Sequence, residues 1–133
     1  MQKRPPELYT ENVTFKVSLR QKRWLRILWF AAVVAVVVGS LLPGSSLPIQ
    51  ALGELHISDK ILHFAAYAVL AFLPALHERR PALGAALLGA LALGVLLEFA
   101  QRLSPGRNFE LADMLADACG LLCGLILALP LRS

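Results

Sequence analysis

Four long apolar segments constrain the fold of this chain more than any other feature. The first, FAAVVAVVVGSLL at residues 30–42, has no polar side in any helical projection, whereas helices of soluble bundles keep one polar face. The 133-residue chain is 57% hydrophobic and 17% charged, and a domain this short buries only part of its apolar surface on folding. The sequence therefore predicts a polytopic membrane protein rather than a soluble domain.

Each apolar segment is long enough to cross a bilayer as a helix. At about 1.5 Å per residue, each reaches close to the hydrocarbon thickness of about 30 Å. The predicted spans are residues 24–42, 59–76, 81–101 and 111–131. Turn and cap residues separate them: Pro43, Gly44 and Pro48, then Ser58, then Pro81, then Pro105 and Gly106.

The predicted fold is all-α, a bundle of four transmembrane helices. One domain at residues 24–133 follows an N-terminal tail at residues 1–23. The fourth span contains Asp117, and a charge inside a bilayer is costly. A half-inserted fourth helix therefore stays open as an alternative.

Lysine and arginine are concentrated on one side of these spans. Those before or at the start of the first span, in the second loop or at the end of the chain are Lys3, Arg4, Lys16, Arg20, Lys22, Arg23, Arg26, Arg79, Arg80 and Arg132. The first and third loops carry only Lys60, Arg102 and Arg107. Because positive charge marks the cytoplasmic side, both termini are expected in the cytoplasm, with Trp24 and Trp29 in an inner aromatic belt. The net charge of +4 is thus a topology signal, and no nucleic-acid partner is expected.

Small residues indicate which helix faces pack inside the bundle. They recur every four positions in the third and fourth spans: Ala86, Ala90 and Gly94, and Ala116, Gly120 and Gly124. Glu98 continues the first of these stripes, and Asp113 and Asp117 share a face with the second. The three carboxylates are therefore predicted to point into the bundle rather than toward lipid.

Polar and ionisable side chains gather at the ends of three spans that meet on one side of the membrane. The predicted ligand-binding residues are Asp59, Lys60, His63, Tyr67, Glu98, Gln101, Arg107, Asp113 and Asp117. Asp59, His63 and Tyr67 follow one another at every fourth position and so share one helix face. With Arg102, these residues are predicted to line a cup that opens to the outside, because such groups inside a membrane usually mark function.

Each of these residues also has an explanation without a ligand. Lys60 and Arg102 can snorkel to the interface, and Asp59 can stabilise a helix N-terminus. Tyr67 can be an ordinary aromatic whose hydroxyl has one partner. His63 can be a neutral core histidine bonded to Asp59 or Glu98. The buried carboxylates can form a structural network between helices.

Several chemistries can be compared with this set. A metal site of Asp59, His63 and Glu98 is disfavoured because only one outer-side histidine lies in a helix, so no metal or cofactor is expected. Cys119 and Cys123 are interpreted as small buried hydrophobes. A phosphate or lipid-phosphate site can use the three bases of the first and third loops. No Walker loop, nucleophile elbow or HExxH motif is present, and the cytoplasmic halves of the last three spans lack ionisable residues for a proton path.

At these positions the chain resembles the VanZ-like family. The resemblance rests on Pro43 and Pro48, on SDKxxHFxAY at residues 58–67, on Glu98 and Gln101, on Arg107, and on Asp113 with Gly120 and Gly124. It implies a small integral protein of the bacterial cytoplasmic membrane, in a family named for a member associated with teicoplanin resistance. It transfers no catalytic residues. Many relatives have asparagine where this chain has Asp117, which favours a hydrogen-bonding role there.

Three classes of function follow from these observations. The leading hypothesis is an envelope protein whose cup binds a membrane lipid headgroup or a lipid-linked cell-wall precursor, with a link to glycopeptide resistance. The second is a membrane enzyme acting on a lipid or glycan headgroup, with His63 or Glu98 as general base and Arg107 stabilising developing charge. The third is a structural partner of another envelope protein, docked through the small-residue faces.

Overall fold

The computed structural model describes residues 17–132, and within that range the chain is helical. The helices are α1 (Leu19–Leu41), α2 (Leu47–Glu54), α3 (Asp59–His77), α4 (Arg80–Gln101) and α5 (Leu111–Ala128), which continues into a 3-10 turn at Leu129–Leu131. All except α2 are long and apolar enough to cross a membrane. The last of these spans consists of α5 together with its 3-10 turn. The predicted all-α membrane bundle of four transmembrane helices is confirmed.

The first span begins earlier than its predicted start at residue 24. Ser18 and Gln21 form a capping box: the Gln21 amide donates to Ser18 Oγ at 3.2 Å, and the Ser18 amide donates to Gln21 Oε1 at 2.8 Å. Since these bonds satisfy free amides of the first turn, α1 begins at Leu19. The predicted tail at residues 1–23 therefore overlaps α1, and its residues 1–16, with Lys3, Arg4 and Lys16, lie outside the described residues.

The loop after the first span contains a helix that the sequence analysis missed. Leu42 caps the end of α1, so Pro43 and Gly44 follow that helix as expected. Pro48, however, lies in the first turn of α2, where the missing N–H group of proline costs no helical hydrogen bond. Ser46 is the N-cap residue of α2. With eight residues, α2 is too short to cross the membrane.

Helix α3 is the centre of the bundle and contacts the other three long helices. Its closest neighbour is α5, because a Cβ at Gly120 or Gly124 would overlap the backbone carbonyl of Phe64 or Ala68, respectively. The predicted packing role of this small-residue stripe is thus confirmed. Since α3 covers the small-residue face of α5, that face is not a free surface for another envelope protein.

Trp29 joins α1 to α3 at a proline. Pro74 lies inside α3 and has no amide hydrogen, so the carbonyl of Leu70 lacks its usual donor four residues on. Trp29 Nε1 donates to that carbonyl oxygen at 2.9 Å. Trp29 therefore has a specific partner within the bundle, whereas Trp24 is 57% exposed, as a residue of an aromatic belt would be.

Candidate functional site

One face of α3 forms the polar wall of a cavity between α1, α2 and α3. The cavity has a volume of about 340 Å³, and Asp59, His63 and Tyr67 line it in the order their spacing predicts. Ser58 caps α3, with its Oγ accepting from the Lys60 amide at 3.3 Å, and so fixes the first turn at the cavity rim. Asp59 is exposed there, whereas the Tyr67 side chain is 2% exposed. We call this space the α1–α3 cavity.

The rest of the wall is mainly apolar. Two helices that the site predictions did not include contribute most of it, together with α3: Ala32, Ala35, Val36 and Gly39 from α1, Ile49 and Leu52 from α2, and Leu62, Ala66 and Val69 from α3. The cavity therefore has a polar end and apolar sides. The Ser46 cap and the proline in the first turn of α2 are the sequence signals that could have revealed the second of these helices.

Gln101 and Arg107 also line the cavity, and both bind the end of α1. Gln101 Nε2 donates to the Ser40 carbonyl at 3.2 Å. Arg107 Nη2 donates to the Gly39 carbonyl at 3.2 Å and its Nε to the Leu42 carbonyl at 3.4 Å. The last carbonyls of a helix lack intrahelical donors, so these two side chains complete α1 while they form part of the cavity wall.

His63 connects the cavity to three buried carboxylates. Its Nδ1 lies 2.8 Å from Asp117 Oδ1, and its Nε2 lies 3.9 Å from both Glu98 Oε1 and Asp113 Oδ2. An ionised Asp117 would accept from Nδ1, and a neutral ring in that tautomer carries its lone pair on Nε2. The partner of His63 is thus Asp117, not the predicted Asp59 or Glu98.

The three carboxylates, which we call the carboxylate cluster, face the bundle interior as predicted. Glu98, Asp117 and Asp113 are 0%, 1% and 6% exposed. Because Asp117 faces α3 rather than lipid within the continuous helix α5, the reason for a half-inserted fourth span no longer holds. Among the described residues, each member of the cluster nevertheless has one buried oxygen without a hydrogen-bond donor. Such an oxygen costs about 1 to 3 kcal/mol.

Glu110 completes the outer edge of the cluster and was missed in the sequence analysis. Its backbone amide donates to Glu98 Oε2 at 3.3 Å, and its side chain pairs with Lys60. Lys60 Nζ also lies 3.5 Å from Asp113 Oδ1. In the sequence, Glu110 stands out only by its position just before the fourth span.

Gly94 allows Asp117 and Tyr67 to approach α4. A Cβ at this position would lie 2.7 Å from Asp117 Oδ2 and 3.0 Å from the Tyr67 hydroxyl. Gly94 therefore has no room for a side chain beside the site. The small-residue stripe of α4 that contains it continues to the buried Glu98.

The predicted single cup is divided in the structure. Asp59, His63, Tyr67, Gln101 and Arg107 line the cavity, whereas Glu98, Asp113 and Asp117 lie on the other side of His63, and Lys60 lies at the outer edge of the cluster. Arg102 belongs to neither part, because it is exposed and its guanidinium lies 4.5 Å from the centre of the Phe109 ring. The base nearest the cavity is therefore Arg107.

The residues that could hold a metal ion differ from the set considered in the sequence. His63, Glu98 and Asp113 each offer one ligand atom, and these atoms lie within 4.8 Å of one another. Asp59 is not among them, because it lies on the cavity side of α3. Cys119 is exposed and Cys123 half-buried, and neither joins this group.

Comparison with known proteins supports the resemblance noted in the sequence. The family model VanZ/LLP1 matches residues 5–132, nearly the whole chain. No curated protein and no solved structure matches.

Proposed function

The chain belongs to the VanZ/LLP1 family, and we propose that it binds a phosphate-bearing lipid group in the α1–α3 cavity. That group is either a phospholipid headgroup or the head of a lipid-linked cell-wall precursor. The two share the chemistry the cavity offers, a phosphate attached to a long apolar chain.

The observation that carries this proposal is the division of the cavity wall. One end has the side chains of Asp59, His63, Tyr67, Gln101 and Arg107, and the sides are aliphatic residues of three helices. Ligand sites are mostly apolar with a few placed polar groups that fix orientation. A molecule with a polar head and an apolar tail matches that distribution.

Arg107 supplies the positive charge for a phosphate. Two of its nitrogens donate to α1 carbonyls, and a guanidinium has five N–H donors in total, so donors remain for a ligand. The Gln101 side-chain amide at the same end can offer a further hydrogen bond to a headgroup. The bound phosphate would therefore lie near Arg107, and away from the carboxylate cluster behind His63.

The proposal puts the cavity at the outer face of the bacterial cytoplasmic membrane. Arg26 and Arg132 both bind Glu78, so the start of α1, the α3–α4 connection and the end of the chain share one end of the bundle. The arginines beside that connection, Arg79 and Arg80, lie at the same end. By the positive-inside rule this end is cytoplasmic, and the cavity at the opposite end faces outward.

A bound wall precursor would link this protein to glycopeptide resistance. A precursor held in an outward-facing cavity is less accessible to a drug such as teicoplanin. This consequence is checked by the drug concentration that inhibits growth of cells with and without the protein, which we expect to be higher with it.

Native mass spectrometry of the protein from gently solubilised membranes tests lipid binding. Gly39 lines the cavity, and a Cβ there meets no atom within 4 Å, so Gly39→Leu fills the cavity without a backbone clash. Gly89 has the same open surroundings, lies on α4 and does not line the cavity, so Gly89→Leu is the matched control. The mass of the retained lipid distinguishes a phospholipid from a wall precursor.

We expect the wild type and Gly89→Leu to retain the same lipid, and Gly39→Leu to retain about tenfold less, a loss of about 1.4 kcal/mol. Arg107→Gln tests the polar end of the cavity. We expect this variant to lose more of a bound lipid that carries more phosphates. Equal lipid content in all four proteins would overturn the proposal.

One observation favours a second function, hydrolysis of the bound headgroup. Asp117 orients His63 through Nδ1, while His63 also lines the cavity, as a general base held by a carboxylate would. Incubation with phospholipids and wall precursors, followed by analysis of released headgroups, tests it. Turnover that His63→Gln abolishes while lipid binding persists would establish catalysis, and no turnover in the wild type would refute it.

A further inference from the structure

We infer that His63, Glu98 and Asp113 form a binding site for one divalent transition-metal ion, with Asp117 as the residue that positions His63. The ligand atoms are His63 Nε2, Glu98 Oε1 and Asp113 Oδ2. They come from three different helices, so a bound ion would tie α3, α4 and α5 together.

The distances between these atoms suit a shared ion. Nε2 of His63 lies 3.9 Å from both carboxylate oxygens, and the three ligand atoms lie within 4.8 Å of one another. Metal bonds of about 2.0 to 2.2 Å place tetrahedral ligands about 3.4 Å apart, so on binding each carboxylate oxygen would move about 0.5 Å closer to Nε2 and the two carboxylate oxygens up to about 1.4 Å closer to each other. A distance of 3.9 Å is too long for a direct hydrogen bond between the imidazole and either carboxylate.

A buried oxygen without a partner points into the same space. Glu98 is 0% exposed, and its Oε1, which faces His63, accepts no hydrogen bond among the described residues. Its other oxygen accepts from the Glu110 amide at 3.3 Å, which fixes the orientation of the carboxylate. Since buried polar groups nearly always have partners, an oxygen held in this orientation needs a ligand to explain it.

The contact between Asp117 and His63 completes the arrangement. Metal-binding histidines usually donate their second ring N–H to a carboxylate, which sets the tautomer and turns the other nitrogen to the metal. Asp117 Oδ1 accepts from Nδ1 at 2.8 Å and leaves Nε2 directed at Glu98 and Asp113. An asparagine could accept the same hydrogen bond through its Oδ1, so this role does not need the charge of Asp117.

The ligand atoms define the class of metal. One imidazole nitrogen and two carboxylate oxygens suit Zn²⁺ or Mn²⁺, whereas soft ions prefer thiolates. Three protein ligands leave at least one position for a solvent or substrate oxygen. With Nε2 as a ligand, His63 is not a general base, so this site and the hydrolysis by His63 considered above exclude each other.

An occupied site would also offset the negative charge of the carboxylate cluster. A phosphate in the neighbouring cavity would then meet less repulsion, since two carboxylates face one divalent cation. Only this last link rests on the proposed lipid binding. The metal site itself stands on the three ligand residues and is tested without lipid.

The test is metal content and affinity of the full chain after removal of bound metal by chelator and reloading with Zn²⁺ alone or Mn²⁺ alone. We expect one equivalent per chain for the wild type, measured by elemental mass spectrometry, and a higher melting temperature with metal. Glu98→Gln and Asp113→Asn should each weaken binding by about 100-fold. Two matched controls should bind like the wild type: Glu78→Gln, a carboxylate-to-amide change at the other end of the bundle, and the double variant Cys119→Ser/Cys123→Ser.

Asp117→Asn separates positioning from ligation. We expect it to keep one equivalent of metal with about tenfold weaker affinity and, with Co²⁺ as a coloured substitute, to shift the visible absorption band. An unchanged band would remove Asp117 from the site. No stoichiometric metal in the wild type, or equal affinity in Glu98→Gln and Asp113→Asn, would overturn the inference. Gly39→Leu should lose lipid but keep metal, so failure of one proposal is distinguishable from failure of the other.

Discussion

The two ends of the helix bundle both collect charged side chains, but they pair them differently. At the end with the chain terminus, Arg26 donates to both oxygens of Glu78 at 2.7 and 3.3 Å. Arg132 donates to the Glu78 carbonyl at 3.1 Å, and His77 Nε2 lies 3.1 Å from Glu78 Oε1. One carboxylate there has several basic partners, and the hydrogen bonds from Arg26 lower the pKa of Glu78.

At the other end, acidic groups outnumber their basic partners. Three carboxylates surround the single imidazole of His63, and Lys60 reaches only Asp113 and Glu110 at the outer edge. Glu98 Oε1 has no donor among residues 17–132. Among the described residues, unpaired buried carboxylate oxygens occur in the carboxylate cluster and not at Glu78, which makes the cluster end the candidate ligand site.

The largest effect is expected from a substitution that pushes apart α3 and α5, the helices that run between the two ends. Gly124→Ala places a Cβ into the Ala68 backbone, so α5 must move away from α3, and we expect a loss of about 3 kcal/mol or more with disruption at both ends. Gly89→Ala, which meets no atom within 4 Å, should be neutral or stabilise by about 0.5 to 1 kcal/mol. Thermal unfolding in detergent measures both, and equal melting temperatures would mean that the helices are not closely packed.

A second test compares two arginines near the cavity end. Arg107→Gln removes the hydrogen bonds to Gly39 and Leu42, so the end of α1 frays and stability falls by about 1.5 to 3 kcal/mol. Arg102→Gln, on a side chain that lies over aromatic rings at the surface, should cost less. Hydrogen exchange of the last turn of α1 locates the effect, and similar exchange in both variants would contradict the assigned role of Arg107.

A third test asks whether the unpaired carboxylate lowers stability. In metal-free protein, Glu98→Gln replaces a buried carboxyl group whose Oε1 has no donor and keeps an oxygen for the Glu110 amide, so we expect a gain of about 1 kcal/mol. Denaturation in the presence of chelator measures it. A clear loss of stability would show that Glu98 Oε1 already has a donor in the metal-free protein, and the contrast between the two ends would disappear.

The smallest effect is expected at the paired end. Glu78→Gln breaks the exposed pair with Arg26 and should lower the melting temperature slightly at neutral pH. Because the pKa of Glu78 is lower in the folded state, the stabilisation is complete above the ordinary carboxyl pKa of about 4.5 and is lost as the pH falls through the native value. The melting temperatures of variant and wild type should therefore converge in acid and in high salt. A difference that persists in acid would rule out the ion pair as its cause.

Much of the fold followed from local pattern. Apolar length located the four spans, and the Ser58 cap and the proline after Arg80 marked two helix starts correctly. The helix at Leu47–Glu54 was missed because its proline was interpreted as a stop rather than as a first-turn residue. The burial of Glu98, Asp113 and Asp117 was predictable because helical spacing places them on the small-residue faces.

Apolar length and the small-residue stripes are enough to predict a membrane bundle and the residues that turn inward, because a helix in a bilayer needs an apolar outer face and satisfies its own backbone. The partner of each polar side chain, by contrast, depends on how the helices pack. His63 and Asp117 are 54 positions apart, and their contact depends on how far α3 and α5 rotate and approach at Gly120 and Gly124. The same packing puts His63 between the cavity and the carboxylate cluster, because His63 lines the cavity while its ring nitrogens lie beside Asp117, Glu98 and Asp113.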